Sequence, residues 1–270
     1  MKGINFCFSQ NFLKSHLSLR VMTIYLYDGT WEAFLTLLYK LSFERSDNLS
    51  QVKVCNLRLH RRSALSFFGE KIEASAFAIN KLKEHINTFG KEQLVKDLYY
   101  WYLCDRAGLE IPLAKCLREL ERDSEIFQRP HIIEGVRLQK AKRALFRERH
   151  RWLGFLRFYS QEKGFLFAQF EPENNVLPLI GGHFLKRFPM ERIMIVDTLR
   201  GLLFLGQKGK YHILFLEDWE IDLKALKDPF VELWRTYFKE IVVPERVNFE
   251  RQKGRVPLKV RAFLPEFRDE

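Results

Sequence analysis

The sequence is poor in the residues that build metal centres and disulfide frameworks. It has four cysteines and seven histidines in 270 residues, all widely separated. Neither a Cys-x-x-Cys nor a His-x-x-x-His pair occurs, so the usual zinc and iron–sulfur motifs are excluded and we expect no metal and no other cofactor. Scattered cysteines are typical of a reducing compartment, which predicts a cytoplasmic location.

Long apolar runs and glycine-rich loops are also missing. No stretch approaches the roughly 18 uninterrupted apolar residues of a membrane span, so we expect no membrane partner. Gly181-Gly182 stands alone, without a dinucleotide or P-loop pattern. Residues 1–21 lack the apolar block of a secretory signal, and Met22 directly precedes a strand pattern. We therefore interpret residues 1–21 as an extension outside the core and residues 22–270 as one domain.

Basic charge and aromatic residues are abundant. The chain has 45 Lys and Arg against 34 Asp and Glu, a net charge of +11, and its 14% aromatic content includes 25 Phe. This positive excess favours an anionic partner, with DNA as the leading candidate. The 47% hydrophobic content is sufficient for a full core.

Hydrophobic periodicity predicts an α+β fold in two parts. An N-terminal strand closed by an Asp-Gly turn is followed by a helix over residues 31–43 and a polar, loop-like stretch over residues 44–62. A helical bundle then completes a mainly helical part, residues 22–128; its helices are predicted over residues 70–88, 91–105 and 111–122.

The second part, residues 129–270, is predicted to be an antiparallel sheet with packed helices and a basic C-terminal segment. After a long basic helix, the expected elements are a hairpin of residues 155–159 and 165–170, a helix over 178–188, strands at 192–197, 202–205 and 211–216, and a helix over 229–241. The short connections between these strands favour antiparallel pairing.

The long helix, predicted over residues 132–152, has two contrasting faces. Leu138, Ala141, Leu145, Glu148 and Trp152 share one face. The opposite face carries a row of cations, here called the basic ridge: Lys140, Arg143, Arg147 and Arg151. A carboxylate on an apolar face is costly unless it is paired, so we expect Glu148 to meet a cation or backbone donors elsewhere in the fold.

Several segments of the chain carry a family resemblance. They are residues 24–32 (IYLYDGTWE), 148–158 (ERHRWLGFLRF), 171–178 (EPENNVLP), 183–189 (HFLKRFP), 197–200 (DTLR), 233–238 (LWRTYF) and 244–248 (PERVN). With these segments the chain resembles an uncharacterised bacterial family of DNA repair or DNA metabolism proteins. The resemblance extends over nearly everything from Met22 onward. It departs near the end, where Leu258 and Lys259 follow Pro257 in place of a Tyr-Trp pair.

The resemblance implies partners more than a reaction. Members of that family are associated with a radical-SAM protein, and some are fused to a uracil-DNA glycosylase-like domain. This sequence has no glycosylase-type glycine-rich motif. Any base excision is therefore expected to come from a separate uracil-DNA glycosylase-like protein.

Four residues are candidates for catalysis: Glu148, His150, His183 and Asp197. Glu148 and His150 fall on different sides of the helix, so a direct dyad is not expected. His183 and Arg187, four residues apart on a helix, form either a phosphate site or an ordinary polar flank. Asp197 ends a strand, which is more often turn chemistry than catalysis. A buried structural ion pair is the main alternative for Glu148.

The residues predicted to bind nucleic acid are more numerous. They are Lys140, Arg143, Arg147, Arg151, Arg157, Arg187, Arg200, Arg246, Asn248, Gln252 and Arg255. Arg157 is alternatively the counter-ion of Glu148 or Asp197. The leading hypothesis is a DNA-binding accessory protein of DNA repair. The alternatives are an enzyme acting on DNA or a nucleotide, with Glu148 as acid or base, and a scaffold that docks the radical-SAM partner through exposed aromatic residues.

Overall fold

The structure is a computed structural model that describes residues 23–44, 48–59, 69–105, 108–129, 131–161, 165–216, 256, 258–261 and 263–264. The predicted extension, the last predicted helix and the predicted DNA ligands Arg246, Asn248, Gln252 and Arg255 lie outside these ranges. The α+β class is confirmed.

The first part combines a small sheet with helices. Its elements are β1 (Thr23–Tyr27), α1 (Trp31–Tyr39) continued by a π-helical turn (Lys40–Glu44), β2 (Val52–Asn56), β3 (Glu70–Ile72), α2 (Ala76–Thr88), α3 (Glu92–Leu103) and α4 (Glu110–Glu119). The strands are parallel in the order β2-β1-β3. The loop predicted over residues 44–62 is therefore wrong, because β2 lies within it. The Val52-Lys53-Val54 alternation of β2 is too short to stand out from the polar residues around it.

The second part is built around a five-stranded sheet. Its elements are α5 (Ile133–Phe155), β4 (Tyr159–Gln161), β5 (Phe165–Phe170), α6 (Leu177–Arg187), β6 (Arg192–Asp197), β7 (Leu202–Gln207), β8 (Lys210–Phe215) and the short α7 (Leu258–Arg261). The strand order is β4-β5-β6-β7-β8. The predicted helix over 178–188 and the three-stranded meander β6-β7-β8 are confirmed.

The second sheet is mixed, which corrects the prediction of a purely antiparallel sheet. β5 and β6 pair in parallel, from Phe165 with Arg192 to Phe170 with Asp197. The reason lies in the connection between them: α6 crosses over the sheet and returns the chain to the same edge before β6 begins. The short links around the meander and the β4–β5 hairpin give antiparallel pairs, as predicted.

Helix α5 packs in the middle of the molecule, against α3, α4 and α6. Its buried residues Leu138, Leu145, Glu148 and Trp152 follow the predicted apolar face. The helix continues to Phe155, so the first hairpin strand starts at Tyr159 rather than at Phe155. Arg157 consequently lies in a connection and not on a strand face. Its Nη1 donates to the carbonyl of Gly154 at 2.8 Å, and no ion pair joins it to Glu148 or Asp197, which corrects the predicted pairing.

Candidate nucleic-acid interface

The basic ridge is exposed along its full length. Lys140, Arg143, Arg147 and Arg151 are all exposed to solvent, and none of them forms a salt bridge with an acid of the described ranges. At a rise of about 1.5 Å per residue, neighbouring ridge residues are about 4.5–6 Å apart along the helix axis and the ridge is about 16 Å long. Four unneutralised cations in a row give a local positive field suited to an anionic polymer.

A groove of about 880 Å³ lies beside the basic ridge. The described residues that line it are Gln139, Lys142, Arg143, Ala144, Phe146, Arg147, Glu148, His150, Arg151, Glu173 and Asn174. Lys142 is neutralised at 2.6 Å by Asp97, whereas His150 is exposed. The groove therefore combines exposed arginines with the partly buried ring of Phe146, the partly buried amides of Gln139 and Asn174, and two acidic groups.

Glu148 is the acid behind the ridge, and it is only 3% exposed. Its Oε1 accepts from the backbone N–H of Glu173 at 2.6 Å. Its Oε2 accepts from the backbone N–H of Asn174 at 2.9 Å and from the Asn174 side-chain amide at 2.7 Å. Of the two partners predicted for this acid, a cation or backbone donors, the backbone donors are confirmed. The carboxylate fastens the loop of residues 172–174 to α5.

Arg200 holds the same loop from the opposite side. Its Nη1 and Nη2 donate to the carbonyls of Pro172 and Glu173 at 3.1 and 2.8 Å. Its Nε and Nη2 form a bidentate pair with Asp105, both bonds at 2.8 Å, and Nη1 also donates to Asp197 at 3.0 Å. All five N–H groups are thus used. The Arg200 side chain is 0% exposed, so its predicted contact with DNA is wrong: it is a structural residue.

Asp197 belongs to this buried network. Its Oδ1 accepts from the backbone N–H groups of Leu199 and Arg200 at 3.0 and 3.1 Å, which is the turn chemistry expected of an aspartate at a strand end. Burial raises the pKa of Asp197 to about 6, although the Arg200 guanidinium opposes the shift. Because Asp197 is 0% exposed, the catalytic role considered for it has no access to substrate.

A comparison with known protein families identifies the family to which this part of the chain belongs. A family model described as a domain of unknown function, DUF4130, matches residues 109–266. The chain belongs to the DUF4130 family. The match covers α4, α5, the whole second sheet and every described residue of the groove. Comparisons with curated proteins and with solved structures found no match.

The remaining predicted residues of the DUF4130 segment do not gather around Glu148. His183 and Arg187 are exposed on α6, where Arg187 lies over the Phe188 ring at 5.7 Å. Neither they nor Arg157 line the groove. Of the residues considered for catalysis, only Glu148 and His150 share it. The convergence needed for the enzyme hypothesis is therefore absent from the described residues.

Two further properties concern the described residues alone. Within these ranges, no group of three or more His, Cys, Asp and Glu side chains is arranged to hold a metal ion. No helix of the described chain combines the length and apolar character needed to cross a membrane.

Sequence reasoning missed the groove residues Gln139, Phe146 and Asn174 and the partly buried Asp105. A signal existed for Asn174, because it lies in one of the segments that carry the family resemblance. The same signal applied to Glu148 and Arg200. Three of those segments, residues 148–158, 171–178 and 197–200, meet at the loop of residues 172–174. Asp105 is 95 residues from its partner Arg200, and no local sequence pattern indicates that these two residues pair.

Proposed function

We propose that this DUF4130 protein is a DNA-binding accessory factor of DNA repair or DNA metabolism, and that the basic ridge of α5 is its phosphate-binding surface. The observation that carries the proposal is the row of exposed cations without acidic partners among the described residues. Lys140, Arg143, Arg147 and Arg151 follow one another on a single helix face. The family resemblance to DNA metabolism proteins supports the same choice of polyanion.

The physical basis is the release of counterions from DNA. Each cation that neutralises a phosphate frees condensed counterions, so affinity falls linearly with salt on logarithmic axes. An arginine already neutralised inside the protein contributes nothing to this effect, which removes Arg200 from the proposed surface. The exposed ridge is a part of the described chain where positive charge remains available in a row on one helix face. Arg187, exposed on α6 outside the groove, and the tail residues Arg246, Asn248, Gln252 and Arg255 remain predicted ligands.

A salt titration tests the proposal. Binding of fluorescein-labelled single- and double-stranded 20-mers is followed by anisotropy between about 50 and 200 mM salt. With contacts from four ridge cations, the logarithmic slope should be about −3 or steeper, since each phosphate contact contributes about 0.7 for single strands and 0.9 for duplex. Absence of salt-sensitive binding to either DNA at about 50 mM would reject DNA binding.

We further propose that β8 docks a protein partner, which the resemblance identifies as a radical-SAM protein. All six residues of β8 are exposed, and the strand is at the edge of the described sheet. Tyr211 is 50% exposed, Leu214 46% and Phe215 37%. An edge strand with exposed apolar side chains offers backbone groups and side-chain contacts to an added strand. Base excision would then be supplied by a separate uracil-DNA glycosylase-like protein.

Co-purification with the radical-SAM protein tests this docking. The wild type should retain the partner, and Leu214→Lys should lose it, because a charge is placed on the exposed edge. Met190→Lys is the matched control, since Met190 is 75% exposed but lies outside β8. Failure of the wild type to retain the partner, or equal loss in both variants, would reject β8 as the docking strand.

A further inference from the structure

We infer that the DNA bound by the basic ridge is single-stranded, with unpaired bases entering the groove beside α5. This inference rests on the proposed DNA binding and specifies its substrate class. It comes from the exposure of the groups that line the groove: its arginines are exposed, whereas Phe146, Gln139 and Asn174 are partly buried and the Glu148 carboxylate is buried.

The packing of α5 disfavours reading of duplex DNA. A recognition helix enters the major groove, about 12 Å wide, as a projecting element. Helix α5 is instead packed along one face against α3, α4 and α6, with Leu138, Leu145 and Trp152 buried, and only its opposite face is exposed. A duplex would therefore touch only the outer cations, through the phosphates of one strand.

The interior of the groove is unsuited to phosphate. The carboxylate of Glu148 forms part of its lining and is only 3% exposed. Its negative charge disfavours a phosphate placed beside it. The backbone of a bound strand is thereby kept on the basic ridge, while its uncharged bases face inward.

The same interior offers groups that bind bases. Phe146 is partly buried and meets the Tyr100 ring edge-on at 4.9 Å, so its ring is fixed beside the groove. His150 is exposed there. The amides of Gln139 and Asn174 donate to Phe127 O at 3.1 Å and to Glu148 at 2.7 Å. This orients their carbonyl oxygens as free acceptors for base amino groups. Stacking on aromatic side chains is the usual, sequence-tolerant way in which single strands are held.

Three labelled oligonucleotides of equal length separate the possibilities: a single strand, its duplex and an abasic single strand with the same phosphates. The wild type should bind the normal strand at least about tenfold more tightly than the duplex, and about fivefold or more over the abasic strand, as expected for one stacked base. Equal affinity for all three would overturn base entry and leave DNA binding intact. Absence of binding to all three would reject DNA binding itself.

Variants test the groove directly. His150→Ala should weaken the normal strand by about fivefold if its ring stacks on a base, and leave the abasic strand unchanged. His131→Ala is the control, because His131 is also exposed but lies outside the groove. Phe146→Leu should act like His150→Ala, and circular dichroism verifies its fold. If His150→Ala and Phe146→Leu, folded, both bind the normal strand like wild type, the assignment of bases to this groove is wrong.

Discussion

The basic ridge and the buried Arg200 place the same kind of side chain in opposite surroundings. Arg147 is exposed and has no acidic partner among the described residues. Arg200 is enclosed by two carboxylates and two backbone carbonyls that use all of its donors. The comparison teaches that the net charge of +11 does not itself mark a DNA-binding surface. The positions of the acids decide which cations remain available.

The two regions are connected through the loop of residues 172–174. The Arg200 side chain does not reach the surface, but it donates to the carbonyls of Pro172 and Glu173 and so fixes their positions. The N–H groups of Glu173 and Asn174 in turn hold Glu148 on the buried face of α5. Because Glu148 immediately follows Arg147 in the helix, these hydrogen bonds help to fix the rotation of α5 about its own axis. The buried network therefore supports the orientation of the exposed ridge.

Replacement of Arg200 should give the largest loss of stability. Arg200→Met leaves Asp105, Asp197 and two carbonyls without their donor, so we expect a loss of about 3–5 kcal/mol in the free energy of unfolding. Arg200→Lys should be intermediate, since an ammonium cannot form the bidentate pair with Asp105. Urea denaturation followed by circular dichroism measures both. A loss below about 1 kcal/mol in both variants would contradict the structural role of Arg200.

The pH dependence of the free energy of unfolding should reveal the raised pKa of Asp197. The pKa of Asp197 is about 6 in the folded protein, above its ordinary value of 3.8. The folded state thus binds the proton more tightly, so this stabilisation is complete below about pH 4 and is lost as the pH rises through 6. Relative to Asp197→Asn, the wild type should lose up to about 3 kcal/mol between pH 4 and 7. A difference that stays constant over this range would contradict the raised pKa.

Glu148→Gln should have a smaller effect. An amide retains one acceptor oxygen but presents N–H groups where the loop already donates, so at least one buried donor loses its partner. We expect a loss of about 1–3 kcal/mol in the free energy of unfolding. Glu73→Gln is the control, because Glu73 is exposed and should change stability by less than about 0.5 kcal/mol. Equal stability of the two variants in urea denaturation would show that Glu148 does not hold the loop.

The exposed ridge could be predicted from sequence, whereas the buried network could not. The ridge and the burial of Glu148 follow from a helical repeat within one segment, and the meander β6-β7-β8 follows from local turns at Gly201 and Gly209, both with positive φ. Whether the charge of Arg200 is neutralised depends on Asp105, which is 95 residues away in the sequence. The parallel pairing of β5 with β6 depends likewise on the path of α6. Local periodicity indicates which face of an element is apolar, but it does not indicate which distant group will neutralise a charge.

The triple substitution of Arg143, Arg147 and Arg151 by Ala should change stability least. No described acid loses a partner, and Ala favours helix, so the unfolding free energy should change by less than about 0.5 kcal/mol per site. The salt dependence of single-strand binding should weaken by about 2 in slope, with an affinity loss of about tenfold or more at 50 mM salt. Lys53, Lys83 and Lys96 are exposed cations outside the groove, and their triple Ala variant has the same net charge. If this control loses as much affinity, total charge and not the ridge governs binding, and the contrast with Arg200 carries no functional meaning.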